Sequence, residues 1–214
     1  MWRHLVQLVF PDFCLQCGRL GPLLCEQCRH GLEFYFDQPQ LNNLDQIYLD
    51  ELQIMAKFQP PLSTLIKALK YQHAKNTARL LATLLYQHCR LPVVDLITFV
   101  PIHPRKERQR FYNQCQEVAL ELGKMMGVRV AAALVRRRHQ TAQAQISDQQ
   151  TRLTRLAGSF TIASPQIQQL VAGKRILLLD DVLTTGTTLN ENAKILQQAG
   201  AAWVAGLTIA SKKS

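Results

Sequence analysis

Apolar residues recur along the chain with three different periods, and each predicts a different kind of element. In residues 62–71 the apolar positions Leu62, Leu65, Ile66 and Leu69 lie three and four apart, which puts them on one side of a helix. Further helices are expected over about 76–89 and 113–126. Residues 45–58, Asp-Gln-Ile-Tyr-Leu-Asp-Glu-Leu-Gln-Ile-Met-Ala-Lys-Phe, alternate instead. That pattern predicts two short strands joined around Asp50-Glu51, closed off by Pro60-Pro61. A third class is the continuous apolar run, seen in Asp95-Leu-Ile-Thr-Phe-Val-Pro-Ile102, in Ile176-Leu-Leu-Leu179 and in Ala202-Trp-Val-Ala-Gly-Leu-Thr-Ile209. Such runs belong to strands covered on both faces, as in parallel α/β sheets. Another short strand is expected near residues 130–135.

The polar segments between these elements are unequal. After the Asp95 run the chain changes abruptly to His103-Pro-Arg-Lys-Glu-Arg-Gln-Arg110, a basic loop just past a strand's C-terminal end, where open parallel sheets bind ligands. Residues 136–151 are rich in Gln and poor in apolar residues, and read as a mobile loop. Its basic residues either close over an anion or are simply solvated. Lys67, Lys70 and Lys75 line one polar face, read as solvated surface. Tyr71, Phe111 and Tyr112 lie near basic residues and could stack on bases, but burial in the core is the preferred reading.

Composition narrows the class of protein. A chain of 214 residues with 47% hydrophobic residues can bury one good core plus a small appendage, which excludes a disordered tail. No apolar run approaches the roughly 18 residues of a spanning helix, so a soluble chain without membrane insertion is expected. The opening Met-Trp-Arg-His-Leu-Val-Gln-Leu-Val-Phe is interrupted by Gln7 and followed by no small-residue cleavage site, and reads as amphipathic rather than as a signal peptide. Lys and Arg number 25 against 15 Asp and Glu, a formal charge of +10. That points to polyanionic partners without choosing among nucleic acid, small phosphates and membrane surfaces. Residues 1–50 carry three basic residues and six acids, whereas residues 105–155 carry eleven and four. The positive charge is therefore concentrated in one stretch.

Four of the six cysteines form Cys14-x2-Cys17-x7-Cys25-x2-Cys28. Each two-residue gap lets one turn present two thiolates to a tetrahedral ion, and Gly18 and Gly21-Pro22 suit the turns required. Structural Zn²⁺ is the favoured reading, ahead of disulfides, a redox pair or an iron–sulfur cluster. A centre with four protein ligands is closed and stabilises folding without doing chemistry. Cys89 and Cys115 read as small buried hydrophobes.

The most specific segment is Lys174-Arg-Ile-Leu-Leu-Leu-Asp180-Asp181-Val-Leu-Thr-Thr-Gly-Thr-Thr188. A buried strand ends in two acids. A threonine-rich loop with one glycine then opens a helix carrying Leu189, Ala193 and Leu196 and ending at Gly200. Such a loop offers N–H groups, hydroxyls and the positive end of a helix dipole to one phosphate, and Gly186 permits close backbone approach. Carboxylates can accept hydrogen bonds from vicinal sugar hydroxyls. Together these features describe a ribose 5-phosphate cradle. Neither Gly-x4-Gly-Lys-Ser/Thr nor Gly-x-Gly-x-x-Gly occurs, so an ATP-driven motor and a dinucleotide site are unsupported.

Residues 177–188 resemble the phosphoribosyl pyrophosphate (PRPP) motif of type I phosphoribosyltransferases, and the whole chain resembles the ComF (ComFC/GntX-like) family. The supporting pieces, in order, are the four cysteines, Leu69-Lys-Tyr71, Val100-Pro-Ile-His-Pro-Arg-Lys106 and Arg110-Phe-Tyr-Asn-Gln114. Thr141-Ala-Gln143, Ile146-Ser147, Arg155 and Gly158-Ser-Phe160 follow. Where the family usually has Arg-Gly-Phe-Asn-Gln, this chain has Phe111 at the glycine. The resemblance implies a doubly wound, mostly parallel α/β domain over 45–214 behind a zinc-binding segment over 1–44, in a cytoplasmic protein of natural transformation. It implies that Asp180 and Asp181 contact the ribose hydroxyls and act in any catalysis. Thr184, Thr185, Gly186, Thr187 and Thr188 would hold the 5-phosphate, Arg105 and Lys106 the pyrophosphate with Mg²⁺, and residues 136–151 would form a flexible hood. Two functions follow from it. One is a binding protein that handles incoming single-stranded DNA, with partners such as a ComFA-type helicase. The other is an enzyme that transfers phosphoribosyl from PRPP to an acceptor, with the Asp180/Asp181 charge stabilising an oxocarbenium-like transition state.

Overall fold

The computed structural model describes residues 13–35, 41, 44–71, 74–137 and 159–212. Five strands form one sheet in the order β1-β7-β6-β2-β3, with every pairing parallel. They are β1 (Glu51–Lys57), β2 (Leu96–Phe99), β3 (Arg129–Val130), β6 (Arg175–Leu183) and β7 (Trp203–Ser211). A separate antiparallel pair joins β4 (Leu134–Arg136) to β5 (Phe160–Ile162).

The apolar runs of β6 and β7 are continuous because both faces of the sheet are covered. Leu177, Leu179, Leu207 and Ile209 face one core, shared with α2 (Leu62–Tyr71), α3 (Ala74–His88) and α5 (Gln114–Met126). Ile176, Leu178 and Val204 face the other, shared with α7 (Thr187–Gln198), α6 (Pro165–Val171) and the β4–β5 ribbon. Helices on both faces make the fold doubly wound. The chain passes outward from β2 to β3 and then returns to the other side of β2 with β6. The strand order thus reverses between β2 and β6, the topological switch point at which such sheets form their crevice.

Several expectations are corrected. Residues 45–58 hold one strand, not two: β1 begins at Glu51, and before it the chain is tied to the body by Tyr48 N–H donating to Asn190 Oδ1 (2.7 Å) and Val204 N–H donating to Asp50 Oδ2 (2.7 Å). The basic segment after β2 is a helix, α4 (Pro104–Arg110), rather than a loop. Proline at its start and the His103 side chain accepting from Arg105 N–H (3.1 Å) open it. Residues 130–135 are divided between β3 and β4, which belong to different sheets. Tyr71 and Phe111 are exposed, and only Tyr112 is half-buried, donating its hydroxyl to Leu69 O (2.5 Å). Residues 1–12 and 138–158, with the opening amphipathic segment and most of the expected hood, lie outside the described residues.

Candidate functional site

β2 ends at Phe99, paired with Leu179, so Asp180 and Asp181 are the first residues of β6 beyond its neighbour at the switch point. Asp180 Oδ1 accepts the Asp181 N–H (2.8 Å) and lies 3.8 Å from Cys115 Sγ. Burial, and then the Asp181 charge, push the Asp180 carboxyl up to about 7. Asp181 is held differently. Its Oδ2 pairs with Lys70 Nζ (2.5 Å) and accepts from Gln114 Nε2 (3.0 Å). Gln114 Oε1 in turn accepts from Arg110 (3.1 Å), whose guanidinium also donates to the Tyr71 hydroxyl (3.2 Å). Asn113 opens α5 by accepting the Cys115 N–H (2.9 Å), and its amide donates to Val100 O (3.0 Å), fixing the loop after β2.

After β6, Thr184 and Thr185 lead to Gly186, the N-cap of α7, at φ 85. A Cβ there would come within 2.5 Å of Leu41 Cδ2, the movable end of a side chain, so it is the left-handed backbone that calls for glycine. The Thr185 hydroxyl contacts that of Thr187 (2.9 Å) and accepts the Thr187 N–H (3.4 Å). Glycine at the N-cap brings no capping side chain, and among the described residues only the Thr187 N–H of the first turn of α7 meets a side chain, which leaves the others to an anion. Thr184 is exposed, Thr185 and Thr188 are half-buried and Thr187 is buried.

Arg105 and Lys106 are exposed on α4. His103, just before them, titrates below its usual range because of partial burial and then the charges of Arg136, Lys106, Arg105 and Arg108. Arg136, from the second basic segment, thus adds its charge to the field at the start of α4.

The four cysteines gather in a separate place. Their sulfurs lie within 4.8 Å of one another, and those of Cys17 and Cys25 are 3.7 Å apart. A tetrahedral ion with sulfur bonds of about 2.3 Å sets its ligands ~3.8 Å apart, whereas a disulfide would need about 2.05 Å. Burial works against ionisation of Cys14, yet the N–H groups of Cys25, Cys17 and Gln16 take it down to about 6. Cys28 is pushed up to about 12 by burial and by the other sulfurs, a conflict that a bound cation would relieve. The set could hold a metal ion, and it fits zinc. Gly18, at φ 72, supplies the turn after the first pair, and Cys28 lies on the one-turn helix α1 (Glu26–Arg29). The segment is fastened to the body by Leu24 and Leu32 in the core, by Arg29 donating to Gln87 Oε1 (2.7 Å), and by residues 33–35 bonding beside β1.

A phosphoribosyl transferase domain family matches residues 114–214. The DNA utilization protein YhgH of Escherichia coli is 32% identical over 200 residues, 89% of this chain and 85% of its own. The chain belongs to the ComF family. Competence protein F of Haemophilus influenzae is 29% identical over 184 residues, 82% of this chain and 79% of its own. Among solved structures, the glutamine PRPP amidotransferase of B. subtilis aligns with 61% of this chain and a quarter of its own length, at 21% identity and a TM-score of 0.43.

Sequence reasoning missed the roles of Lys70, Arg110 and Gln114 in this ComF chain. Lys70 was read as solvated surface, yet it is ion-paired with Asp181. The signal was present, because all three lie in the short family motifs quoted above, Leu69-Lys-Tyr71 and Arg110-Phe-Tyr-Asn-Gln114. Cys115, read as a small hydrophobe, is buried as expected, but its thiol is turned to Asp180 and is held well above its usual range by burial and then by the two carboxylates. Among the described residues no helix is long and apolar enough to cross a membrane.

Proposed function

We propose that this ComF chain is a cytoplasmic competence protein that handles incoming single-stranded DNA and carries a PRPP-type pocket. The observation that supports the pocket best is the acid pair followed directly by the threonine loop and an uncapped helix start at the β2/β6 switch point. In this reading Asp180 and Asp181 accept the ribose hydroxyls, Thr184 to Thr188 hold the 5-phosphate, and Arg105 and Lys106 take the pyrophosphate. Mg²⁺ would bind with the pyrophosphate and supply positive charge there, and the hard carboxylate oxygens of Asp180 and Asp181 are of the kind that could hold it. Zn²⁺ occupies the four cysteines and stabilises the segment over residues 1–44, ahead of a phosphoribosyltransferase-like domain over 45–214. The names of the relatives, competence protein and DNA utilization protein, support the DNA role, in which a ComFA-type helicase is a natural partner.

The test is titration of PRPP with Mg²⁺, and separately of a labelled single-stranded oligonucleotide, into wild type and the Asp180→Asn/Asp181→Asn variant. Loss of PRPP binding together with loss of transformation supports the reading. DNA handling and transformation that survive without PRPP binding would detach the pocket from the DNA role. Release of pyrophosphate with a nucleobase or nucleoside acceptor would establish the enzymatic alternative.

A further inference from the structure

The end of α4 carries a feature that the PRPP pocket does not use. Phe111 sits at φ 66, ψ 3, and is 92% exposed. A bulky side chain in the left-handed region is an outlier, and a ring in water gains nothing from the core. Such conformations persist mainly where function retains them. Tyr71 is 68% exposed, and the guanidinium of Arg110, the residue before Phe111, lies 5.0 Å from its ring centroid. Arg110 is in turn joined through Gln114 to Asp181. The same short helix exposes Arg105, Lys106 and Arg108, against the single acid Glu107.

We infer that exposed Phe111, together with the Arg110–Tyr71 pair next to it in the chain, offers a ledge on which an unpaired nucleobase of single-stranded nucleic acid stacks. A neighbouring phosphate lies against Arg108, on the same helix as Arg105 and Lys106. The chemistry selects this partner. Every base offers a π face to a ring and a guanidinium, a row of cations suits a phosphodiester chain, and a duplex keeps its base faces covered. Phe111 has no polar group, so the ledge is tolerant of base identity. The inference rests on the DNA-handling reading and deepens it.

Fluorescence anisotropy with a labelled oligo-dT, and with the same strand made abasic, tests it on wild type, Phe111→Ala, Phe111→Trp and Arg108→Ala, each first shown by melting to be folded. Phe111→Ala should weaken binding of the intact strand by about five- to hundredfold and leave the salt dependence unchanged, because no charge is lost. Phe111→Trp should bind like wild type. The abasic strand should bind wild type and Phe111→Ala equally. Arg108→Ala should instead flatten the slope of log affinity against log salt by about 0.7. Equal binding of the intact strand by wild type and Phe111→Ala, or equal losses on both strands, would overturn the ledge while leaving DNA handling intact. Absence of oligonucleotide binding by wild type would overturn the DNA-handling reading itself.

Discussion

Replacing Phe111 by glycine should stabilise the protein although it deletes an aromatic side chain. At φ 66 an L side chain carries a penalty of about 1–2 kcal/mol. The ring is 92% exposed, so truncation loses only about 16 Å² of the roughly 200 Å² an aromatic can bury, or about 0.4 kcal/mol at about 25 cal/mol per Å². Glycine adds about 0.5–1 kcal/mol of chain entropy that folding must overcome. The balance favours Phe111→Gly over wild type by a few tenths of a kcal/mol. Phe111→Ala keeps the strained backbone, loses the same contact, and falls about 0.4 kcal/mol below wild type. The difference between the two variants, about 0.7 kcal/mol, corresponds to roughly 2 °C in a chain of this size. Thermal and urea unfolding followed by circular dichroism, at one fixed zinc concentration, measures it. The sign is the sharp part. At a right-handed site alanine is the more stable residue by about 0.5–1 kcal/mol. An alanine variant melting above the glycine variant would therefore refute the left-handed assignment. Glycine is also the residue usual in the family at this place, and the backbone supplies the reason.

Lys70→Met should destabilise the protein at neutral pH by about 1–3 kcal/mol, less than the 3–5 kcal/mol of a fully buried pair because both partners keep some solvent contact; the double variant Lys70→Met/Asp181→Asn should recover part of the loss in the same melts. Asp180 titrates higher in the folded protein than its ordinary 3.8, so the folded state binds the proton more tightly. Its contribution to stability is full below about pH 4 and is lost as pH rises through about 7. Asp180→Asn should remove that part of the decline between pH 4 and 7, and an unchanged pH profile would contradict the burial of this carboxyl. Elemental analysis should find about one zinc per chain, and Cys17→Ser should lower both the zinc content and the melting temperature. A zinc-free protein whose melting is indifferent to chelators would rule out the metal reading.

What could be read from sequence was whatever a local pattern determines. The runs of β2, β6 and β7 are apolar because both faces are covered, and α2, α3, α5 and α7 show their buried stripes. The helical state of α4 was hidden because Pro104-Arg-Lys-Glu-Arg-Gln-Arg110 buries no residue and so carries no period. Its start signals, His103 as N-cap and Pro104, were legible but outweighed by charge. The expected strand over 130–135 failed for the opposite reason. Apolarity was right, but a break at residues 131–133 sends the two halves to different sheets. Lys70 lay beyond any local rule, because its partner Asp181 is 111 positions away.

That same distance explains why the order of the family's motifs is informative where, the acid–threonine segment over 177–188 apart, none of them is decisive alone. Lys70 comes from one piece and Arg110 and Gln114 from another, yet all three contribute to one hydrogen-bonded cluster around Asp181. The cluster also bears on the choice between binding and transfer. An oxocarbenium-like transition state draws on free negative charge beside the ribose. Here the Asp181 carboxylate is countered by an ammonium at 2.5 Å, and Asp180 is shifted toward its neutral form. In the proposed pocket a pair so compensated would still accept ribose hydroxyls while offering less charge to a developing cation. On that ground we propose that the pocket holds a phosphoribosyl ligand rather than cleaving it, cleavage requiring Lys70 to be displaced. Lys70→Met, assayed for pyrophosphate release alongside PRPP affinity, separates the two: a gain in turnover would identify the lysine as the restraint.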